Sequence, residues 1–179
     1  DLIVLSTHQR DGVDRWLHRS VAEPLARRSG AMTLFVPQSG HGFVSPRDGR
    51  VALRRLLIPV DHVPRSDAAI NRVWGLARGL GCTTCEARLI HVGDPGSAPT
   101  PIGPADAGWS QETVVRQGDV VRCILEEDAR WGPDLLVLAT GGDVRQRRGD
   151  EDEADARQEH RASQVVIDEV REFVGDDIV

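Results

Sequence analysis

The residues of this chain that could do chemistry stand at the ends of short apolar runs. Asp61 follows the run "LRRLLIPV", Val92 ends "EARLIHV", Gly118 comes shortly after "ETVVR", and the turn 139–142 follows "DLLVLA". In a parallel sheet with helices on its faces, ligands bind at the carboxyl ends of the strands. A carboxylate there can accept hydrogen bonds from a ligand, and glycines let backbone N–H groups approach it. These positions are therefore the candidate binding site.

A pair of cysteines, Cys82 and Cys85, forms a C-x-x-C sequence after a predicted helix. One such pair supplies two metal ligands, whereas a zinc site needs four, or three and a water. A redox pair needs its first cysteine at a helix N-terminus, where the thiolate is stabilised. We therefore expect a structural role for both, and Cys123 is expected to be a small buried residue of a helix.

The histidines show no metal-binding spacing such as H-E-x-x-H, and the sequence offers no serine–histidine–aspartate arrangement to assemble. His8 and His62 lie at predicted strand ends, where they could contact a ligand. We predict no catalytic residue and no metal site. The full set of histidines is His8, His18, His41, His62, His91 and His160.

Strands and helices alternate along the chain and must position these residues. The strand-like runs are "DLIVLS", "AMTLFVP", "LRRLLIPVD", "EARLIHV", "ETVVR" and "DLLVLA". Apolar residues at helical spacing predict three helices, over about 11–28, after Ser66 and after Asp119. Ser66 is placed to cap the second of them. This alternation predicts an α/β fold with a parallel sheet, right-handed crossovers and helices on both faces. The apolar side of the helix after Asp119 would be Val121, Ile124, Leu125 and Ala129.

The carboxyl-terminal part of the chain is predicted to be a charged insertion followed by a helix. Residues 143–161 mix acidic and basic side chains, which is typical of a solvated loop or an exposed helix surface. An apolar stripe at helical spacing follows and predicts a terminal helix over 163–174. The stripe consists of Val166, Ile167, Val170, Phe173 and Val174.

Composition excludes several classes of function. The net charge is −6 and all 22 basic residues are arginine, which argues against a basic face for a nucleic-acid backbone. No apolar run approaches the roughly 20 residues that span a bilayer. Hydrophobic residues make up 40% of the 179 positions, which is enough for a core. We therefore expect a soluble cytoplasmic protein that binds neither nucleic acid nor a membrane.

Two copies of one strand indicate an internal repeat. "DLIVLST" starts at Asp1 and "DLLVLAT" at Asp134, separated by about the length of one domain. With "LLIPVDHVPRSDAAI", "RLIHVGD" and "VVRQGDVVRCILEEDARWGPDLLVLATGG", the pattern resembles the universal stress protein family in its tandem-domain form. The N-terminal "DLIVLSTHQRDGVDRWLHRSVAEPLARR" followed by "AMTLFV" fits the same family. The resemblance covers about residues 1–36 and 53–142.

The resemblance implies an adenine-nucleotide α-hydrolase-like fold and a particular division of the chain. Residues 1–37 would be the last strand–helix–strand of a first domain, 38–52 a linker, and 53–179 a second, nearly complete domain. The chain would then be a tandem pair cut inside its first copy. Because an exposed half-domain would leave strand edges unpaired, we predict that residues 1–37 lie against a sheet, in the same chain or in a homodimer.

The resemblance also implies a nucleotide site. Asp61 would accept a hydrogen bond from the adenine or ribose side, Val92 would pack on the base, and Ala139 would offer its backbone. From the residues alone, Asp61 could equally be a turn residue, and Val92 and Ala139 could be core residues. Nucleotide-binding members carry a loop written G-x2-G-x9-G-[ST]. Gly142 keeps its second glycine and Ser163 its hydroxyl, but Ala139 replaces the first glycine and 19 residues stand where nine belong.

The first copy departs from the loop further, with Ser6, Gln9 and Arg19 at the glycine positions and only Ser20 matching. We therefore predict a stress-response module that binds an adenine nucleotide such as ATP with micromolar or weaker affinity, or that dimerises, and that has no enzymatic turnover. Two alternatives stay open: a protein-interaction scaffold that binds no nucleotide, and a hydrolase or transferase that uses an adenine nucleotide.

Overall fold

One seven-stranded sheet runs through the part of the chain that the structure, a computed structural model, describes: residues 2–7, 31–37, 42–63, 65–101, 103–104, 106–140 and 164–168. Its strands are β1 (Leu2–Thr7), β2 (Met32–Pro37), β3 (Arg55–Pro59), β4 (Cys85–Val92), β5 (Trp109–Arg116), β6 (Leu135–Thr140) and β7 (Gln164–Asp168). The described helices are α1 (Asp67–Gly79), α2 (Val120–Trp131) and a short 3-10 helix, Pro95–Ser97.

The sheet order is β1-β2-β7-β6-β3-β4-β5. The four strands β6, β3, β4 and β5 are parallel, as predicted for an α/β fold. Strand β7 is antiparallel to β6 and parallel to β2, which is in turn parallel to β1. Strands β1, β2 and β7 therefore run opposite to the other four. The expectation that the first 37 residues join a sheet is confirmed for strands β1 and β2.

The central strand β3 shows why this sheet needs cover on both faces. Its three apolar residues, Leu56, Leu57 and Ile58, are fully buried although they alternate in direction. Leu56 and Ile58 pack in a cluster with α1, whereas Leu57 packs in a second cluster with α2. The helices thus lie on opposite faces of the sheet, as the sequence predicts.

The segment predicted to be a linker is turn-rich, but it is also anchored in the core. Val44 and Val51 form an antiparallel bridge, and the N–H of Ser45 donates to the carbonyl of Arg50 at 2.8 Å. Phe43 is buried in the cluster on the α1 side. This small hairpin therefore helps to cover the sheet.

Helix α1 begins after Ser66 as predicted, but the Ser66 side chain does not cap it. A capping residue normally has extended backbone angles, whereas Ser66 has φ −87° and ψ −10°, and its hydroxyl makes no capping hydrogen bond. The sequence predicts an apolar face of Ile70, Val73, Ala77 and Leu80. The first three are buried, and Leu80, just after the helix, is partly buried against the same cluster.

Helix α2 begins with an effective cap, but its predicted apolar side is partly wrong. Val121 and Ala129 are exposed, and the buried residues are Cys123, Glu127 and Asp128. The helix is turned so that Glu127 meets arginines of β4 and β5, and this ion pairing replaces part of the apolar contact. Cys123 is buried, as predicted.

The predicted terminal helix is wrong where the structure describes it. Gln164–Asp168 is a strand, with Ile167 opposite Val137 of β6 and Val166 opposite Thr33 of β2. Three consecutive β-branched residues favour a strand, and pairing on both edges completes the sheet between β2 and β6. Residues 169–174, the charged insertion 143–161 and the predicted helix over 11–28 lie outside the described residues.

The first residues of α1 and α2 should differ in how much alanine substitution changes the free energy of unfolding. Asp119 has extended angles and accepts a hydrogen bond from the Arg122 N–H at 2.9 Å. Asp119→Ala should therefore lower the free energy of unfolding by about 1 kcal/mol. Ser66→Ala should change it by less than roughly 0.5 kcal/mol, because the Ser66 hydroxyl makes no capping hydrogen bond that the substitution could remove. Urea unfolding of both variants tests this, and equal losses would contradict it.

Candidate functional site

The carboxyl ends of the parallel strands β3, β4 and β6 lie side by side at one end of the sheet's strands, here called the rim. Leu56 is opposite Ala87 and Leu135. Continuing these registers places Asp61 level with Val92 and with the end of β6 at Thr140. The candidate residues Asp61, Val92 and Ala139 therefore lie at one rim, and Gly118 follows the parallel strand β5 there.

The three candidates differ in what their side chains contact. Val92 is half-buried against the α2-side cluster, and Ala139 is half-buried against the α1-side cluster, so the sheet separates them. Asp61 is exposed, and one carboxylate oxygen accepts the His62 N–H at 2.7 Å. Gly142 and Ser163 lie outside the described residues, as does His8.

An open cleft of about 360 Å³ lies beside Asp61. One side of it is the start of α1, and the other is the segment that follows the 3-10 helix. An isolated parallel bridge between Asp61 and Arg65 holds the two ends of the intervening loop together. The lining residues are Asp61, His62, Arg65, Ser66, Asp67, Pro99, Thr100 and Pro101.

The wall formed by α1 contains Ser66 and the first N–H groups of the helix. Ser66 is only 5% exposed, it borders the cleft, and its hydroxyl makes no capping hydrogen bond. The first bond of the helix runs from the Ile70 N–H to the Ser66 carbonyl at 2.9 Å. The N–H groups of Asp67, Ala68 and Ala69 precede that bond and lack an intrahelical acceptor, as at any helix start. Sequence reasoning missed Ser66 as a residue of the cleft because it assigned the hydroxyl to capping.

Charges around the cleft are only partly compensated. Arg65 binds the Asp67 carboxylate through Nε at 3.0 Å and Nη2 at 2.9 Å. Asp61 has no ion-pair partner among the described residues. The cleft therefore has a carboxylate acceptor at one end and a helix N-terminus, with its partial positive charge, at the other.

Two histidines hold the 3-10 helix next to the rim. His91 is 4% exposed, with Nδ1 3.2 Å from the Val60 carbonyl oxygen and Nε2 3.2 Å from the Ser97 hydroxyl. Since a carbonyl only accepts, Nδ1 carries a proton. His62 Nε2 lies 2.7 Å from the Ser97 carbonyl oxygen. A Cβ at Gly93 would lie 2.8 Å from His91 Nε2, so only glycine leaves room for this ring. The sequence pointed to His62 but gave no signal for His91.

A buried carboxylate, Glu127, organises a separate cluster on the α2 side of the sheet. Its side chain is 1% exposed and accepts hydrogen bonds from Arg88 and Arg116, each at 2.8 Å, and from Arg130. Burial raises the pKa of Glu127, but the hydrogen bonds from three guanidinium groups outweigh it, and the pKa lies below the ordinary 4.5. Arg88 also pairs with the exposed Glu112. The cluster attaches α2 to β4 and β5.

The cysteines are free thiols buried to different degrees. Burial raises the pKa of the Cys85 thiol to about 12 and also raises that of the half-buried Cys82. Neither is therefore a thiolate nucleophile at neutral pH. Within the described ranges, no group of three or more histidine, cysteine or acidic side chains is placed to hold a metal ion.

Comparisons of the chain with protein-family models, with curated proteins and with solved structures find no match. In the part of the chain that the structure describes, none of the helices has the length and apolarity needed to cross a membrane.

Removing the Glu127 charge should destabilise the fold. Glu127→Gln leaves three guanidinium groups without their shared carboxylate, and we expect the free energy of unfolding to fall by about 3 kcal/mol. Glu126→Gln is the matched control, because Glu126 is exposed and forms only an i,i+4 pair with Arg122. That change should cost less than roughly 0.5 kcal/mol. Similar losses in urea unfolding of both variants would contradict a central role for Glu127.

The same carboxylate predicts a dependence of stability on pH. The folded pKa of Glu127 is lowered, so its contribution is fully present above the unfolded value near 4.5 and is lost as the pH falls towards the folded value. The difference in unfolding free energy between the natural chain and Glu127→Gln should therefore be constant from pH 7 to about 5.5 and shrink below about 4.5. Urea unfolding across this range measures it, and a difference that grows on acidification would refute the assignment.

Proposed function

We propose that this chain is a stress-response module of the universal stress type that binds an adenine nucleoside or nucleotide at the rim. The observation that carries the proposal is the position of Asp61, whose exposed carboxylate lies level with Val92 and borders the cleft. A ligand at the carboxyl ends of parallel strands is the general arrangement in open α/β sheets.

The chemistry of Asp61 suits the sugar or the amino group of such a ligand. One oxygen accepts the His62 N–H, which orients the carboxylate, and the residue is exposed. A ribose diol or an adenine amino group can donate to them. The cleft volume of about 360 Å³ is near the small end of the range for ligand pockets, which favours a compact ligand.

The segment that corresponds to the phosphate loop also starts and ends at the rim. Thr140, the last residue of β6, is paired with Gln164, the first residue of β7. Residues 141–163 therefore connect two neighbouring points of the rim. Because Ala139 replaces a glycine and the segment is longer than the family loop, we propose that it contributes little to triphosphate binding.

We also propose the tandem organisation that the family resemblance implies, and the strand order supports it. Strands β1 and β6, which have similar sequences, flank the β2–β7 pair on its two sides. Strand β1 runs in the opposite direction to β6. Two copies related by a two-fold axis through the sheet would have this relation. Strand β7 departs from it, since it runs parallel to β2.

Calorimetric titration with adenosine and with ATP tests the site. We expect both to bind, ATP with micromolar or weaker affinity, and Asp61→Asn to weaken both by about tenfold, because a hydrogen bond to a charged acceptor is lost. Glu86→Gln is the matched control, since it removes an exposed carboxylate at the amino end of β4, the end that lies away from the rim.

The outcomes separate the candidate functions. Binding that Asp61→Asn leaves unchanged would place the ligand elsewhere. No binding of either compound would favour the interaction scaffold, and formation of ADP or AMP during incubation with ATP would favour the hydrolase.

A further inference from the structure

We propose that Ser97 is a nucleophile for acyl transfer, with His91 as its general base, and that it takes the acyl group of a small carboxylic ester. This activity is separate from nucleotide binding and does not depend on it. The position of Ser97 is favourable for a substrate, because the chain that follows it, at Pro99 and Thr100, forms a wall of the cleft.

The Ser97 hydroxyl and the His91 imidazole lie within hydrogen-bonding distance of each other. Ser97 Oγ is 3.2 Å from His91 Nε2. A serine hydroxyl is a weak nucleophile while it keeps its proton, and a base within about 2.6–3.2 Å activates it by removing that proton as the new bond forms. The pair therefore has the spacing of a nucleophile and its base.

The surroundings of His91 fix the ring in the form that can take a proton from Ser97. Nδ1 lies 3.2 Å from the Val60 carbonyl oxygen, which only accepts, so Nδ1 carries the proton of the neutral ring. Nε2, which faces Ser97, is then the acceptor. In serine hydrolases a carboxylate holds the histidine in this tautomer. Here a backbone carbonyl has that role.

Burial holds the base in place, while the nucleophile stays accessible. His91 is 4% exposed. Gly93 leaves room for the ring, since a Cβ there would lie 2.8 Å from Nε2. Ser97 is exposed, so an ester can approach its hydroxyl from solvent.

The Asp94 carbonyl is a second acceptor for the same hydroxyl. Ser97 Oγ donates to it at 2.8 Å, and the Ser97 backbone N–H donates to it at 3.0 Å. A hydroxyl has one proton and rotates to suit its acceptors. The carbonyl therefore keeps the oxygen near His91 but competes with Nε2 for the proton, and we expect slow turnover for this reason.

The reaction passes through an acyl–serine intermediate. Ser97 Oγ attacks the carbonyl carbon of the ester and its proton passes to His91 Nε2. The C–O bond to the alcohol then breaks, and the alcohol takes that proton from Nε2. Water attacks the acyl–serine and gives a proton to Nε2, which returns it to Oγ as the carboxylic acid leaves. Ester and water become acid and alcohol, with both side chains restored.

Hydrolysis of p-nitrophenyl acetate by the full chain tests the proposal. We expect an initial release of about one p-nitrophenolate per chain followed by slower turnover, because the acyl–serine accumulates. Ser97→Ala should abolish the initial release. Ser110→Ala, which removes an exposed hydroxyl from β5, should leave both phases unchanged. An initial release that survives Ser97→Ala would overturn the proposal.

His91→Gln separates a base from a residue that only supports the fold. Glutamine can form hydrogen bonds in the place of the ring but does not take up a proton. The initial release should therefore become about a hundredfold slower, while its amount stays at about one per chain. An unchanged rate would show that His91 is not the base.

A second measurement uses the natural chain and does not depend on how a variant folds. After brief incubation with p-nitrophenyl acetate, mass spectrometry of the digested chain should find the acetyl group on Ser97. Unfolding the chain in urea beforehand should prevent this, because the pair exists only in the folded chain. An acetyl group found only on histidine or cysteine, or no acetyl group at all, would refute the assignment of Ser97.

Discussion

The register between β3 and β6 is the constraint on which the rest of the structure depends. The Asp134 carboxylate, just before β6, accepts the N–H groups of Arg54 at 2.7 Å and Arg55 at 2.8 Å, and its own N–H donates to the Arg55 carbonyl at 2.9 Å. These bonds join strands about 80 residues apart in sequence. They set which residues of β3 and β6 reach the rim together, and through β6 they connect the four parallel strands to β7, β2 and β1.

The two faces of the sheet are covered by different physical means. On the α1 side the cover is apolar, and at its edge Trp74 stacks on Trp109 with ring centroids 4.9 Å apart while Arg78 lies over Trp109. On the α2 side the apolar cluster is smaller, and Glu127 joins α2 to the sheet through arginines. Burying a charge is costly unless it is paired and hydrogen-bonded. The position of α2 therefore depends on the distances between Glu127 and its arginines, whereas the position of α1 depends on the apolar surface that it buries against the sheet.

The candidate site uses the side of the sheet that has the apolar cover. Because α1 is held by packing and its start needs no side-chain cap, Ser66 and the first N–H groups of the helix are left open to the cleft. Next to the other wall, His62 and His91 both contact Ser97 of the 3-10 helix, and His91 also contacts the Val60 carbonyl just after β3. Asp61 lies between these two elements and borders the same cleft.

The sequence by itself determined the alternation of strands and helices, the starts of α1 and α2, and the placement of Asp61, Val92 and Ala139 at strand ends, because apolar periodicity and cap residues are local signals. It could not determine which face of α2 is buried, since Glu127 pairs with Arg88 from a strand 39 residues away. The sequence predicted a helix where β7 lies, because the apolar residues of this segment also have helical spacing. The segment is a strand because it pairs with β2 on one side and with β6 on the other. Tertiary structure also decided that His91 is buried against Val60 and that Ser66 faces a cleft instead of capping its helix. The contacts of Glu127, β7 and His91 join groups that are distant in sequence. The orientation of Ser66 depends on its backbone angles, which the residue type does not fix.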